Sequence, residues 1–184
     1  MDKVDLNLLR EIADLESTPQ GAYNIRKNGK LEGRASSANI VIETKTDKPG
    51  IDIRIAPGTK NESVHIPVIL TETGLNDMVY NDFFVGEGAD VVIVAGCGIH
   101  NGGCATSQHD GIHTFHLGKG SRVRYVEKHY GEGPGTGARI LNPQTILYLE
   151  EGASVELETV QIKGVDSAKR YTRVELAAGA EASV

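Results

Sequence analysis

The chain has 184 residues, 39% hydrophobic and 24% charged, enough for one domain that buries roughly two thirds of its unfolded surface. Its net charge of −6, with acids and bases interspersed, argues against a sequence-independent nucleic-acid binder, which needs a basic face against phosphate. No window reaches the ~18 apolar residues of a membrane span, and MDKVDLNLLREIADLE at the start holds no apolar signal core. A cytoplasmic protein is expected, with Cys97 and Cys104 as thiols or ligands rather than a disulfide.

In chain order, residues 3–16 have the pattern of an amphipathic helix, with Val4, Leu8, Ile12 and Leu15 at three- and four-residue spacing. Thr18-Pro19 ends it, so 1–18 is a helical segment and 19–184 a different regime. There, short alternating runs such as NIVIET and IDIRIA are separated by DKPG, APG and NG, which are strand and turn signals.

An internal repeat organises the rest. IAPG, VGEG, LGKG, LEEG and LAAG each place an aliphatic residue three positions before a glycine, and GADVVIV, GSRVRYV and GASVELE continue three of them. The glycines, Gly58, Gly88, Gly120, Gly152 and Gly179, are 30, 32, 32 and 27 positions apart. An aliphatic residue that ends an inward-facing strand, a glycine in a left-handed turn and a new alternating strand make one corner of a coil. Its recurrence predicts stacked units, a parallel β-helix, in preference to a Greek-key sandwich or a cupin barrel. Such a solenoid needs capped ends. The helix is available to cap one; VELAAGAEASV stops in mid-repeat, so 19–184 is expected to be an incomplete core, continued by more chain or covered by a partner.

The densest chemistry is GCGIHNGGCATSQHDGIHTFH, residues 96–116. Cys97, His100, Cys104, His109 and His113 are candidate metal ligands, because thiolate and imidazole suit zinc, ferrous iron or an iron–sulfur cluster. The C-x-x-H-x-x-x-C spacing lacks the C-x-x-C pairs of zinc fingers. The plainer reading makes Cys97 a small buried hydrophobe after VVIVA and the histidines turn and strand residues. Cys104, in the NGGC turn, is the better placed of the two thiols to bind. GEGPGTG (131–137) has no Lys-Ser/Thr and no helix after it, so the phosphate-loop pattern fails and a flexible surface loop is expected. GKGSR (118–122) is one of the repeat turns. There is no G-x-S-x-G elbow, and Ser107 beside His109 is only a local pairing. Glu150/Glu151 and Glu156/Glu158 read as solvated outer faces. His113 and His116 are spaced H-x-x-H, where a cupin metal site wants H-x-H.

Taken together, the run from GAYNIRKNGKLEGRASSANIVIET through GADVVIVAGCGIHNGG, with SQHDGIHTF, YVEKHYGEG and LETVQIKGVDSAKR, resembles the SufB/SufD family over residues 21–184. These are scaffold components of the SUF iron–sulfur cluster assembly machinery, and the likeness is to the short bacterial and archaeal members. The resemblance implies a right-handed parallel β-helix and a non-enzymatic scaffold. It also implies two partners, a SufC-type ABC ATPase, whose nucleotide cycle rearranges the scaffold, and a second SufB/SufD-type chain. An iron–sulfur cluster belongs to the full-length assembly. Family members continue into further rungs and a helical segment that carry the cysteine and glutamate of cluster assembly and the ATPase-docking helices. No position here matches those motifs. Two other readings stay open: a metal-dependent β-helix or cupin-like enzyme using His100, Cys104, His109 and His113, and a self-assembling structural solenoid.

Overall fold

The computed structural model describes residues 1–184. One helix, α1 (Lys3–Ala13), precedes two antiparallel hairpins. The first pairs β1 (Ala22–Lys27) with β2 (Lys30–Ala35), the second β3 (Ile40–Thr44) with β4 (Gly50–Ile55). Long strands follow: β5 (Lys60–Leu70), β6 (Asn76–Val85), β7 (Asp90–His100), β8 (Ser107–Leu117) and β9 (Arg122–Glu132). The last part holds β10 (Arg139–Leu141), β11 (Gln144–Leu149), β12 (Ser154–Lys163), β13 (Ser167–Ala168), β14 (Tyr171–Leu176) and β15 (Glu181–Ser183).

From β5 onward the chain alternates between two sheets, and each strand pairs in parallel with the strand one coil earlier. One sheet has the order β15-β12-β9-β7-β5-β1-β2. The other runs β13-β10-β8-β6-β4-β3, with β11 between β8 and β14. This is the expected β-solenoid, of about four turns. Its register keeps equivalent positions above one another, so Val64, Ile93, Tyr125 and Leu157 are successive partners along one sheet. Inside, Phe83 and Phe115 stack at 4.3 Å between ring centres, and Tyr125 meets Phe115 edge-on at 4.9 Å.

The repeat glycines do what the spacing requires. Gly58, Gly88, Gly120, Gly152 and Gly179 all have φ between 61° and 71°, and nothing lies within 4 Å of where a Cβ would stand. Their identity is set by backbone conformation and not by crowding. Their N–H groups also link the coils: Gly58 donates to the Glu87 carbonyl, Gly88 to Lys119 and Gly120 to Glu151.

GEGPGTG is not a free surface loop. Gly135 N–H donates to the Asn101 carbonyl and Gly137 N–H to Gly103, so the segment stacks on the corner before it. A Cβ at Gly135 would lie 2.3 Å from the Gly103 carbonyl oxygen, and one at Gly137 2.0 Å from that of Ala105. These glycines are demanded by backbone-on-backbone contact.

α1 is shorter than its apolar pattern. Asp2 caps its start by accepting from the Val4 and Asp5 N–H groups, and the Asp5 carboxylate accepts from the Asp2 N–H in return. It stops at Ala13 because Asp14 turns left-handed (φ 55°), its N–H donating to the Arg10 carbonyl. Nor does α1 cap an end of the coil. The two hairpins occupy that end, and α1 lies on the outer face of the first sheet, burying Leu8, Leu9, Ile12, Ala13 and Leu15 with Ile25, Ile69 and Tyr130. Gly96 and Gly98 on β7 make the approach possible. A Cβ at Gly96 would stand 2.9 Å from the Ile12 carbonyl oxygen and 2.7 Å from that of Lys128, and one at Gly98 3.2 Å from Leu8 Cβ. Gly96→Val is therefore expected to lift the helix and cost about 1–3 kcal/mol. Urea unfolding checks this, and an unchanged midpoint would show that the helix is not seated on the glycine.

Candidate functional site

On β6, β8 and β9 the odd-numbered residues face inward, as alternation along a strand requires. Near the repeat turns these are apolar: Phe83, Val85, Phe115, Leu117 and Val123. Farther along the same strands they are polar. Asp77, Asn81, His109, His113, Glu127 and His129 are all buried.

Three linked groups pair most of this polar interior. In the first, Arg26 clamps Asp77, Nε donating to Oδ2 at 3.1 Å and Nη2 to Oδ1 at 2.8 Å, while His109 Nδ1 donates to Oδ2 at 3.1 Å. In the second, Asn81 Oδ1 accepts the Ile51 N–H at 3.2 Å, which turns its amide nitrogen toward His113 Nε2 at 3.4 Å. That assigns the His113 proton to Nδ1, which donates to the Tyr125 hydroxyl at 2.7 Å. In the third, Arg170 Nη1 donates to Glu127 Oε2 at 2.7 Å, and His129 Nε2 lies 3.6 Å from Oε1. Gly111 makes room on β8: a Cβ there would sit 3.2 Å from His109 Nε2 and 3.3 Å from His113 Nε2.

Electrostatics follow from this geometry. Burial would raise the Asp77 carboxyl, but His109 and Arg26 together hold it well below the usual carboxylate range. Glu127 is likewise driven up by burial and held well down by His129, His113 and Arg170. Burial pushes His113 down to about 4, so it is neutral at neutral pH. Burial, with the charges of Asp77 and Glu127, raises the Cys97 thiol well above its ordinary value, and burial does the same for Tyr125. The interior is thus charge-compensated and offers no thiolate nucleophile. His129 Nδ1 and Thr145 Oγ1 are buried there without a hydrogen-bond partner.

The five sequence candidates separate. Cys97 packs with Val68, Leu70, Ile99 and Leu141, as the small-hydrophobe reading expects. His100 ends β7 with Nδ1 3.2 Å from Glu132 Oε1, beside α1, whose Asn7 donates to the same carboxylate. Cys104 is exposed in the corner between β7 and β8. Only His109 and His113 share one space, and no three His, Cys, Asp or Glu side chains are grouped to hold a metal ion. Most of residues 96–116 is strand, and the connection is only 101–106. Sequence reasoning missed Arg26, Asp77, Asn81, Tyr125, Glu127, His129 and Arg170. The available signal was parity: in VRYVEKHY, Tyr125, Glu127 and His129 share the parity of the core residue Val123. No protein-family model, curated protein or solved structure matches the chain.

Proposed function

We propose that this protein is a scaffold of SUF-type iron–sulfur cluster assembly, without catalysis of its own, working with a SufC-type ABC ATPase and a second SufB/SufD-type chain. The observation that carries the reading is where the family-like stretches fall. From GAYNIRK in β1 to DSAKR at β13, they occupy the hairpin end and then consecutive coils of one continuous solenoid. The interior offers no thiolate nucleophile, since burial keeps Cys97 protonated, and its two carboxylates are each paired with an arginine, Asp77 with Arg26 and Glu127 with Arg170. The metal-dependent alternative loses its geometric basis, because Cys104 is exposed, His100 is committed to Glu132 and Cys97 lies among aliphatic side chains. No helix is long and apolar enough to cross a membrane.

Co-expression of the complete gene product with a SufC-type ATPase from the same genome tests the reading. The two should co-purify, and the complex, reconstituted anaerobically with iron and sulfide, should show visible iron–sulfur absorption. Absence of both the association and the absorption would refute it.

A further inference from the structure

We propose that a basic cavity at the hairpin end of the solenoid binds a small phosphate-bearing anion. The cavity, about 300 Å³, lies between the β1–β2 hairpin and the segment joining β3 to β4, with Ile51, Ile66, Val68 and Val79 among its apolar lining. Arg26, Arg34, Lys45 and Lys48 all line it, and no aspartate or glutamate does. Aspartates reach two of these cations from outside the lining, so what the cavity presents uncompensated is Arg34 and Lys48.

Two of the four are committed elsewhere. Arg26 is clamped on Asp77, and Lys45 bridges Asp52 and Asp82. The other two are free to serve a ligand. Arg34 donates from Nε to Asn24 Oδ1 and from Nη1 to Thr44 Oγ1, both at 2.8 Å, and makes no ion pair. Burial shifts its pKa downward, the mark of a guanidinium drawn partly out of water with only neutral acceptors to meet it. Lys48 Nζ stands 4.7 Å from the centre of the Tyr80 ring and has no carboxylate partner. A planar fork on one wall and a point charge on another fit a tetrahedral oxyanion.

The walls are pre-set. The carbonyl of Pro49 accepts from Tyr80 N–H at 2.9 Å, and Lys45 N–H donates to the Gly50 carbonyl at 3.0 Å. Gly50 has φ 138°, and a Cβ there would fall 1.8 Å from the Tyr80 carbonyl oxygen, so this turn is held against β6. Lys45 and Lys48 are carried on backbone already fixed before a ligand arrives, which lowers the ordering cost of binding. The size is at the small end of ligand pockets, suited to one or two phosphates on a short body. The site stands independently of the scaffold reading.

Calorimetry with pyrophosphate and inorganic phosphate at ~0.15 M salt tests the proposal, with citrate as the carboxylate arm. Pyrophosphate should bind one per chain and raise the melting temperature. Lys48→Ala and Arg34→Gln should each weaken it about tenfold or more, while Lys119→Ala, on a repeat turn, should leave it unchanged. The Lys48 side chain faces the Tyr80 ring and makes no hydrogen bond or ion pair, so its variant keeps the test readable if Arg34→Gln unfolds the hairpin. Absence of pyrophosphate binding at ~mM concentration, binding indifferent to Lys48→Ala, or citrate binding tighter than pyrophosphate would each overturn it.

Discussion

Asp77→Ala is expected to destabilise the protein by about 3–5 kcal/mol, the cost of breaking a buried ion pair from one side. The Asp77 side chain is only 5% exposed and accepts three hydrogen bonds, two from Arg26 and one from His109. Its loss leaves a guanidinium, itself 19% exposed, and an imidazole facing each other with nothing between. Asp77→Asn should cost less, since one acceptor oxygen remains. Denaturant unfolding of Asp77→Ala, Arg26→Ala and the double variant separates the pair energy from the burial cost. A loss below about 1 kcal/mol for Asp77→Ala would mean that Arg26 swings into solvent, and that the interior is wetter than its side-chain exposures indicate.

The coil was legible because its requirement is local. A left-handed corner needs glycine whatever lies around it, so five glycines about 30 residues apart announce five corners, and all five have the expected φ. The glycines of GEGPGTG obey a different rule. Gly135 and Gly137 are needed because the backbone of residues 101–105 passes against them, a contact between positions some thirty residues apart. Composition is the same for a loose loop and a stacked one, so nothing local distinguishes them. Gly96 and Gly98 conceal their purpose in the same way, since both lie against α1, more than eighty residues earlier, and Gly96 also against the Lys128 carbonyl on β9.

The interior was harder to read because its residues violate the expectation used to assign faces. Along β9 a polar Glu127 and His129 look like outward residues, yet they continue the inward parity of Val123 and Tyr125. Only pairing with β7 and the reach of Arg170 from a later coil make the site affordable. The Cys/His density of residues 96–116 was visible, but strand alternation divides it. Cys97 points in and His100 meets Glu132 beside the helix, while His109 and His113, two positions either side of Gly111, turn inward together.

Acid should destabilise this protein in two stages, the first set mainly by His113, with His65 adding to it because burial lowers its pKa too. The folded pKa of His113 is lowered by burial to about 4 from an ordinary 6.5, so folding excludes a proton that the unfolded chain accepts. Above about pH 6.5 the imidazole is neutral in both states and the full contribution is present. As the pH falls toward about 4 only the unfolded chain takes the proton, and stability drops by about 3 kcal/mol. Below that, both states are protonated and this contribution is spent. The second stage belongs to Asp77 and Glu127, whose folded values lie well below their ordinary 3.8 and 4.5. Their stabilisation is complete above those ordinary values and is lost as the carboxylates protonate at lower pH. Urea midpoints from pH 7.5 down to 4.5, compared with those of His113→Gln, resolve the first stage. The wild-type midpoint should fall steadily across this window while the variant's falls distinctly less, because glutamine keeps a polar group beside Asn81 and Tyr125 but has no proton to gain; the slope that remains belongs to His65, which burial also lowers. Equal slopes in the two proteins would assign the acid response to another group.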